Sequence, residues 1–562
     1  MLKNIIKLFN LFSNKELFFF LVIIFLLILI SLLELISISS IPIFANYYFK
    51  KDNSILINEE YFKWLNTNIS IEFLSLLIIS IFIIKNLTTF LINIVQNNFI
   101  KKFLIKISVK LHKNILDRDY LYFSKISSSL IVRNLSHDVD QTGIFLNSAM
   151  VLLKEFLIIC FLFLLIIQTG LFYAIMFLIS IGVVLYLIFR IYKRKIDQIS
   201  NKFQTLKARH IKHLNDERSL IQEIKIYLLN DFYGKSFKKI QSNLEKIKFI
   251  KNIIVSTPRL IIEVIFIIFF ITLLYILTEF YNSDEIFEIV ILLSIITIRF
   301  IPIYGSISSS FITMRTTYPS IILMVNELKN KPSYKSKNIK KLVKKIKFEK
   351  DNKKFQNTFL TVKDLNFGFE SNKKIINNLN FNIKKKDFIG IVGRSGSGKT
   401  TLLNIICGLI LPNSGNIYKN GKSIYLDLDK WKSKIGYVST SSMILNLSLI
   451  ENIVLEKKVD KKKIIKILRL LNLEKLITKL NKKLGDGGST LSSGQKQRLL
   501  IARVLYRDPE ILVFDEVTNF LDSRNEKNVI RLIKSLNKNK PIILISHKKE
   551  NLKYCNKIID FN

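Results

Sequence analysis

Three short stretches hold side chains whose types and spacing suit chemistry on a phosphate group. GRSGSGKTT (393–401) follows the apolar run FIGIV and leads into LLNIICGL, and its first eight residues fit G-x-x-x-x-G-K-[ST]. Glycines at such spacing let backbone N–H groups close around phosphates at a helix N-terminus. Gly393, Arg394, Ser395, Gly396, Ser397, Gly398 and Thr401 would form the cradle, with Lys399 reaching the β and γ phosphates and the Thr400 hydroxyl binding Mg²⁺. EILVFDE (510–516) ends a second apolar run in two acids. Asp515 suits Mg²⁺ coordination, and Glu516 suits orienting and deprotonating an attacking water. IILISH (542–547) ends a third such run in His547. At the carboxyl end of a parallel strand beside a phosphate loop, that histidine is a candidate γ-phosphate contact.

These stretches require buried parallel strands whose ends carry loops into helices, and residues 357–562 have the mixed composition of such an α/β P-loop ATPase domain. The rest of the 562-residue chain differs. Residues 1–325 carry long apolar runs, and mean hydropathy over the whole chain is +0.30. Crossing a bilayer takes roughly 20 apolar residues. Candidate spans lie near 17–38, 72–95, 147–167, 171–190, 253–278 and 286–307, giving a membrane α-helical bundle of six transmembrane helices. Residues 326–356 are a Lys-rich linker with Pro332. The first apolar run has no small-residue cleavage site and reads as an anchor.

The formal net charge is +42, from 85 Lys and Arg against 43 Asp and Glu. Nucleic acid is not the expected partner, because Lys, Asn and Ile are enriched throughout and much of the excess flanks the spans. Lys3, Lys7 and Lys15, the basic 97–143 segment and the basic 190–252 segment contrast with Glu279, Asp284, Glu285 and Glu288. The positive-inside rule then makes this a multi-pass inner-membrane protein with both termini, both long loops and the soluble domain in the cytoplasm. The long loops read as helices continuing beyond the bilayer, with tips at 122–141 and 215–232 that could dock the soluble domain. In ILINEEYFKWLN (55–66), Ile57, Tyr61, Trp64 and Leu65 share one helical face, which reads as a short helix on the outer leaflet. Cys160, Cys407 and Cys555 show neither disulfide nor zinc spacing.

Three cations fall within or beside the spans: Lys85, Arg259 and Arg299. A charge at mid-bilayer costs roughly 2.5–3.5 kcal/mol on insertion scales, so each needs a partner or a function. Together they would suit an anionic cargo group, phosphate or pyrophosphate above all. The plainer reading pairs Arg259 with Glu263 one turn on, lets Lys85 snorkel, and leaves Glu34 and Glu155 to neutralise any of the three.

LSSGQKQRLLIARVLYRDPEILVFDE (491–516) closely resembles the signature of ATP-binding cassette (ABC) transporters, LSGGQ, with the acidic strand at the usual distance. The six-span-then-motor order resembles their type IV exporters. The resemblance implies ATP and Mg²⁺ as cofactors and a half-transporter acting as a homodimer, in which one subunit's Ser492, Ser493, Gly494 and Gln495 complete the other's ATP site. It also implies that Phe369 stacks on adenine and that Asp522 is the D-loop aspartate. Two positions depart from the pattern. Thr440 stands where the family carries a glutamine, and is too short to copy its reach to Mg²⁺ and water; Asn519 replaces a serine in NFLD. TPRLIIE, the outer short helix and the three cations further resemble PglK-type flippases of lipid-linked oligosaccharides. That likeness implies a polyprenyl-pyrophosphate-linked glycan as membrane substrate, with Lys85, Arg259 and Arg299 handling its pyrophosphate. Export of another amphipathic lipid, peptide or drug, and a membrane protein poor in ATPase activity, stay open.

Overall fold

The structure, a computed structural model, describes residues 6, 8–48, 70–168, 172–280, 283–329, 358–369, 374–455, 459–519, 521–537 and 540–561. The outer helix expected at 55–66 lies outside them, as does most of the 326–356 linker. The chain divides into two compact units, Met1–Asp117 with Lys125–Lys331, and Arg118–Ser124 with Pro332–Asn562.

The first unit is helical. Its elements are α1 (Asn14–Tyr48), α2 (Ile71–Leu116), the short α3 (Tyr120–Lys125) and α4 (Ser128–Leu135), α5 (His137–Gln168), α6 (Phe172–Ser219), the short α7 (Ile221–Ile226), α8 (Asn230–Phe280) and α9 (Ser283–Lys329). Helix α3 straddles the boundary between the units. Sequence sets where helices begin. Ser13 and Glu16 form a reciprocal cap at α1, with Ser13 N–H donating to Glu16 Oε2 at 2.6 Å, and Ser70 caps α2 by accepting from Phe73 N–H at 3.3 Å. Helix α8 has 51 residues, about 75 Å at 1.5 Å per residue, against a hydrocarbon core of about 30 Å. The helices therefore do run on beyond bilayer thickness.

Among the described residues four stretches are long and apolar enough to cross a membrane: Asn14–Ile41, Ile71–Leu116, Ser128–Leu164 and Asn230–Thr272. The expected six spans thus stand at four. The other two, 171–190 and 286–307, fall on α6 and α9, where most side chains lie outside the described set. Phe18, Leu76 and Phe90 are exposed, an apolar outer face that suits lipid. Inside, Ile23, Phe103, Phe145, Ile321 and Met324 join α1, α2, α5 and α9 in one core.

The second unit contains two sheets. In chain order its strands are β1 (Leu360–Phe367), β2 (Ile376–Ile383), β3 (Phe388–Val392), β4 (Ser414–Lys419), β5 (Lys422–Ser423), β6 (Ile435–Ser439), β7 (Ile511–Asp515), β8 (Ile542–Ile545) and β9 (Lys557–Asp560). An antiparallel sheet has the order β2-β1-β4-β5, and a parallel sheet the order β6-β7-β8-β3-β9. Strands β7 and β8 are buried at every residue, which is why their sequences are unbroken apolar runs rather than alternating ones. Helices α10 (Lys399–Ile406), α11 (Leu428–Lys432), α12 (Leu449–Val454), α13 (Lys461–Leu470), α14 (Ser493–Tyr506), α15 (Ser523–Leu536) and α16 (Lys549–Leu552) complete it. Leu121, within Arg118–Ser124 of this unit, packs on the core that holds Ile389, Ile391 and Val513.

Candidate functional site

The parallel sheet puts the ends of β3, β7 and β8 side by side, so three stretches far apart in sequence deliver their chemistry to one edge. The loop after β3 can turn only because of its glycines. Gly398, at φ +100°, immediately precedes α10, and a Cβ there would lie 2.5 Å from Ile375 Cγ2. Gly393 is equally crowded, against Phe561 and Ser397. Lys399 is buried, and its ammonium donates to the Gly393 and Arg394 carbonyls at 2.8 Å each, holding the loop around itself. Arg394, Ser395 and Gly396 are exposed on the loop and Thr400 on the first turn of α10, and the Ser397 hydroxyl is buried without a hydrogen-bond partner.

Asp515 ends β7, 6% exposed, with Tyr437 Oη donating to its Oδ2 at 3.2 Å. Its Oδ1 is buried and unpartnered. Burial, and next the neighbouring Glu516, push the carboxyl above its usual range, against the pull of Tyr437, Thr400 and Lys399. A buried, charge-costly oxygen beside a threonine hydroxyl is the hard-donor environment that Mg²⁺ prefers, so the residues fit that ion, with Thr400 and Asp515 holding it. Bound there it would supply positive charge to the phosphate oxygens.

Glu516 follows at φ +55°, a left-handed conformation unusual for a residue with a side chain. Its Oε1 lies 2.8 Å from His547 Nε2, and its Oε2 accepts from Asn519 Nδ2 at 2.7 Å. Glu516, the candidate base, and His547, the candidate γ-phosphate contact, are thus in direct contact with each other. Glu516 can take a proton from water while the water oxygen bonds to the γ-phosphorus and the bond to the departing diphosphate breaks.

Phe369 is 57% exposed and meets Phe367 edge-on at 5.2 Å, leaving a ring face open. Ser492 caps α14, accepting from Gln495 N–H at 3.3 Å while Gln495 Oε1 accepts from Ser492 N–H at 3.0 Å. Ser493 and Gly494 open that helix, and a Cβ on Gly494 would meet Asn525 Oδ1 at 3.1 Å. Asp522 caps α15 through the Asn525 side chain and N–H, which hold its carboxyl below the usual range. Thr440 is exposed in the turn after β6. Beside it, Ser439 Oγ and Ser441 Oγ hydrogen-bond at 2.9 Å, and the Tyr437 hydroxyl reaches the Asp515 side chain. Tyr437 was not expected at the site, and Asn519 was noted only as a departure in NFLD, not as a partner of Glu516; strand pairing of β6 with β7 and a tight turn place them there.

Residues 376–519 match the family model described as ABC transporter. They form an ABC transporter ATPase domain. Such a domain works on ATP with Mg²⁺. Alpha-hemolysin translocation ATP-binding protein HlyB of Escherichia coli O157:H7 is 38% identical over 204 residues, 35% of this chain and 29% of that protein. A putative export ATP-binding/permease protein of Rickettsia bellii is 35% identical over 207 residues, 36% of each chain. MdlB of Buchnera aphidicola, a multidrug resistance-like ATP-binding protein, is 35% identical over 210 residues, again 36% of each. The chain thus spans about a third of the length of the curated relatives it matches. A solved bacterial Atm1-family ABC exporter with ATP bound superposes on 98% of this chain and 93% of its own, with TM-score 0.77 at 13% identity. The chain has the ABC exporter fold.

The membrane cations behave unequally. Lys85 is buried and forms an ion pair with Glu34 at 2.9 Å, so the plainer reading holds for it and its charge is already neutralised. Arg259 is exposed, with no ion pair or hydrogen bond of its side chain among the described residues; the expected pair with Glu263 is not formed. Its aliphatic stem crowds Gly305 of α9, where a Cβ would meet Arg259 Cγ at 3.3 Å. The Arg299 side chain lies outside the described set. Glu155 is taken up by Lys154 at 3.1 Å and Ser306 at 3.3 Å.

Proposed function

We propose that the chain is one half of a homodimeric, ATP-driven exporter in the bacterial inner membrane, and that its cargo is a polyprenyl-pyrophosphate-linked oligosaccharide. The observation that carries the engine is the Glu516–His547 contact beside Asp515 and Lys399, on an exporter fold. Support for an anionic cargo comes from Arg259, whose guanidinium is unpaired among the described residues. A planar guanidinium suits phosphate oxygens bidentately. Lys85 contributes less to this reading than expected, because Glu34 must be displaced before it meets an anion.

The test is translocation of a fluorescent lipid-linked oligosaccharide in proteoliposomes. ATP-dependent flipping by the wild type, absent in Glu516→Gln and lost in Arg259→Ala, is the expected result. Wild type no faster than Glu516→Gln would remove the glycan cargo. Stimulation of hydrolysis by an amphipathic peptide or drug instead would favour the second reading, for which the exporters named among the relatives are the support.

A further inference from the structure

Asn519 is the least expected group at the site. It stands three residues beyond Glu516, where the resembling transporters more often carry serine. Its side chain turns back onto the carboxylate, Nδ2 donating to Glu516 Oε2 at 2.7 Å, while its own N–H donates to the Glu516 carbonyl at 3.2 Å and closes a tight turn. Glu516 N–H is tied to the Ile545 carbonyl of β8 at 3.2 Å, and His547, just past that strand, holds Oε1 at 2.8 Å. The carboxylate is therefore gripped at both oxygens. A serine hydroxyl lies one bond nearer the backbone than the asparagine amide, so the grip on Oε2 depends on this residue type.

We infer that Asn519 is a positioning residue for the ATPase reaction: its amide fixes the rotamer of the Glu516 carboxylate. A carboxylate offers about four acceptor positions. With one taken on Oε2 by Asn519 and one on Oε1 by His547, fewer positions remain for the attacking water, and the carboxylate is not free to rotate away from it. Asn519 makes and breaks no bond. The amide is neutral at every working pH, so it orients the base without competing for the proton that Glu516 must accept. This rests on the ATPase reading of Glu516 and adds a residue to it.

Steady-state hydrolysis by purified full-length protein, together with melting temperature, tests the assignment. Asn519→Ala should lower kcat by roughly 10-fold, the size of one hydrogen bond to a charged group, with KM for ATP and binding of a fluorescent ATP analogue unchanged within about 2-fold. Asn519→Asp keeps the shape but faces Glu516 with a second carboxylate. It should fall further than Asn519→Ala, whereas a packing role would make this isostere the milder change. Asn519→Asp should also lower the melting temperature, and adding Glu516→Gln should restore it, because the glutamine amide can donate to the new aspartate. An unchanged kcat in Asn519→Ala, Asn519→Asp equal to wild type, or no rescue in the double variant would overturn the inference. Hydrolysis by wild type that Glu516→Gln leaves untouched would instead remove the ATPase reading itself, while the melting cycle still reports whether the two side chains touch.

Discussion

At the scale of residues, the site is a set of groups that each cost something to place. Gly398 is held at φ +100° with no room for a Cβ, so Gly398→Ala combines backbone strain with a clash at Ile375. We expect the phosphate loop to open and ATP binding to fall at least 10-fold in a nucleotide-binding titration. Glu516→Gln keeps the shape of the base and removes its ability to take a proton. Hydrolysis should fall by roughly 100- to 10,000-fold with ATP binding retained. The Tyr437 hydroxyl steadies Asp515, so Tyr437→Phe should raise the Mg²⁺ concentration for half-maximal activity several-fold.

At the scale of elements, buried charge pairs decide how helices and strands are fastened. Lys85 on α2 and Glu34 on α1 pair in an otherwise apolar region. Removing one partner leaves the other charge alone, so Lys85→Ala should destabilise the protein by about 3–5 kcal/mol, whereas replacing both by leucine should be close to neutral. Melting of the two variants in detergent checks this, and transport by the double variant reveals whether Lys85 also serves cargo. In the second unit, burial pushes the Glu526 carboxyl of α15 up, but Lys548, Asn551 and Thr518 together hold it below the usual range, and Lys540 does the same for Asp508. Both native carboxyls are depressed, so their stabilisation is present at neutral pH and lost as pH falls through the folded values. The melting temperature should hold down to about pH 5 and drop below about pH 4. Four of the six expected spans were legible by length and hydropathy; Glu34 was legible as a candidate counter-charge, but that it pairs with Lys85 was not, because the two lie 51 positions apart on different helices.

At the scale of the whole molecule, one chain carries one phosphate loop and one signature, and the homodimer we propose would make two composite sites from them. A Lys399→Ala chain lacks a working phosphate loop, and a Ser493→Arg chain lacks a working signature. Each should be inactive alone. Mixed during folding, they should regain a fraction of wild-type ATPase activity, because one site per mixed dimer receives an intact half from each chain. No recovery, with mixed dimers isolated, would count against a shared site.

The sequence alone determined which residues we propose for the ATPase chemistry and what kind of chain surrounds them. Gly393–Thr400, Asp515, Glu516 and His547 announce themselves because phosphate binding constrains backbone turns and strand ends locally. Apolar length likewise marks the membrane segments, since lipid demands an unbroken apolar stretch from each. Tertiary structure decided what touches what. It brought Asn519 to Glu516 and Tyr437 to Asp515, gave Lys85 to Glu34 and left Arg259 without Glu263. Those outcomes depend on strand register, a local turn and helix packing, which bring Tyr437 to 3.2 Å from Asp515 and Lys85 to 2.9 Å from Glu34 and leave no periodic trace in the chain.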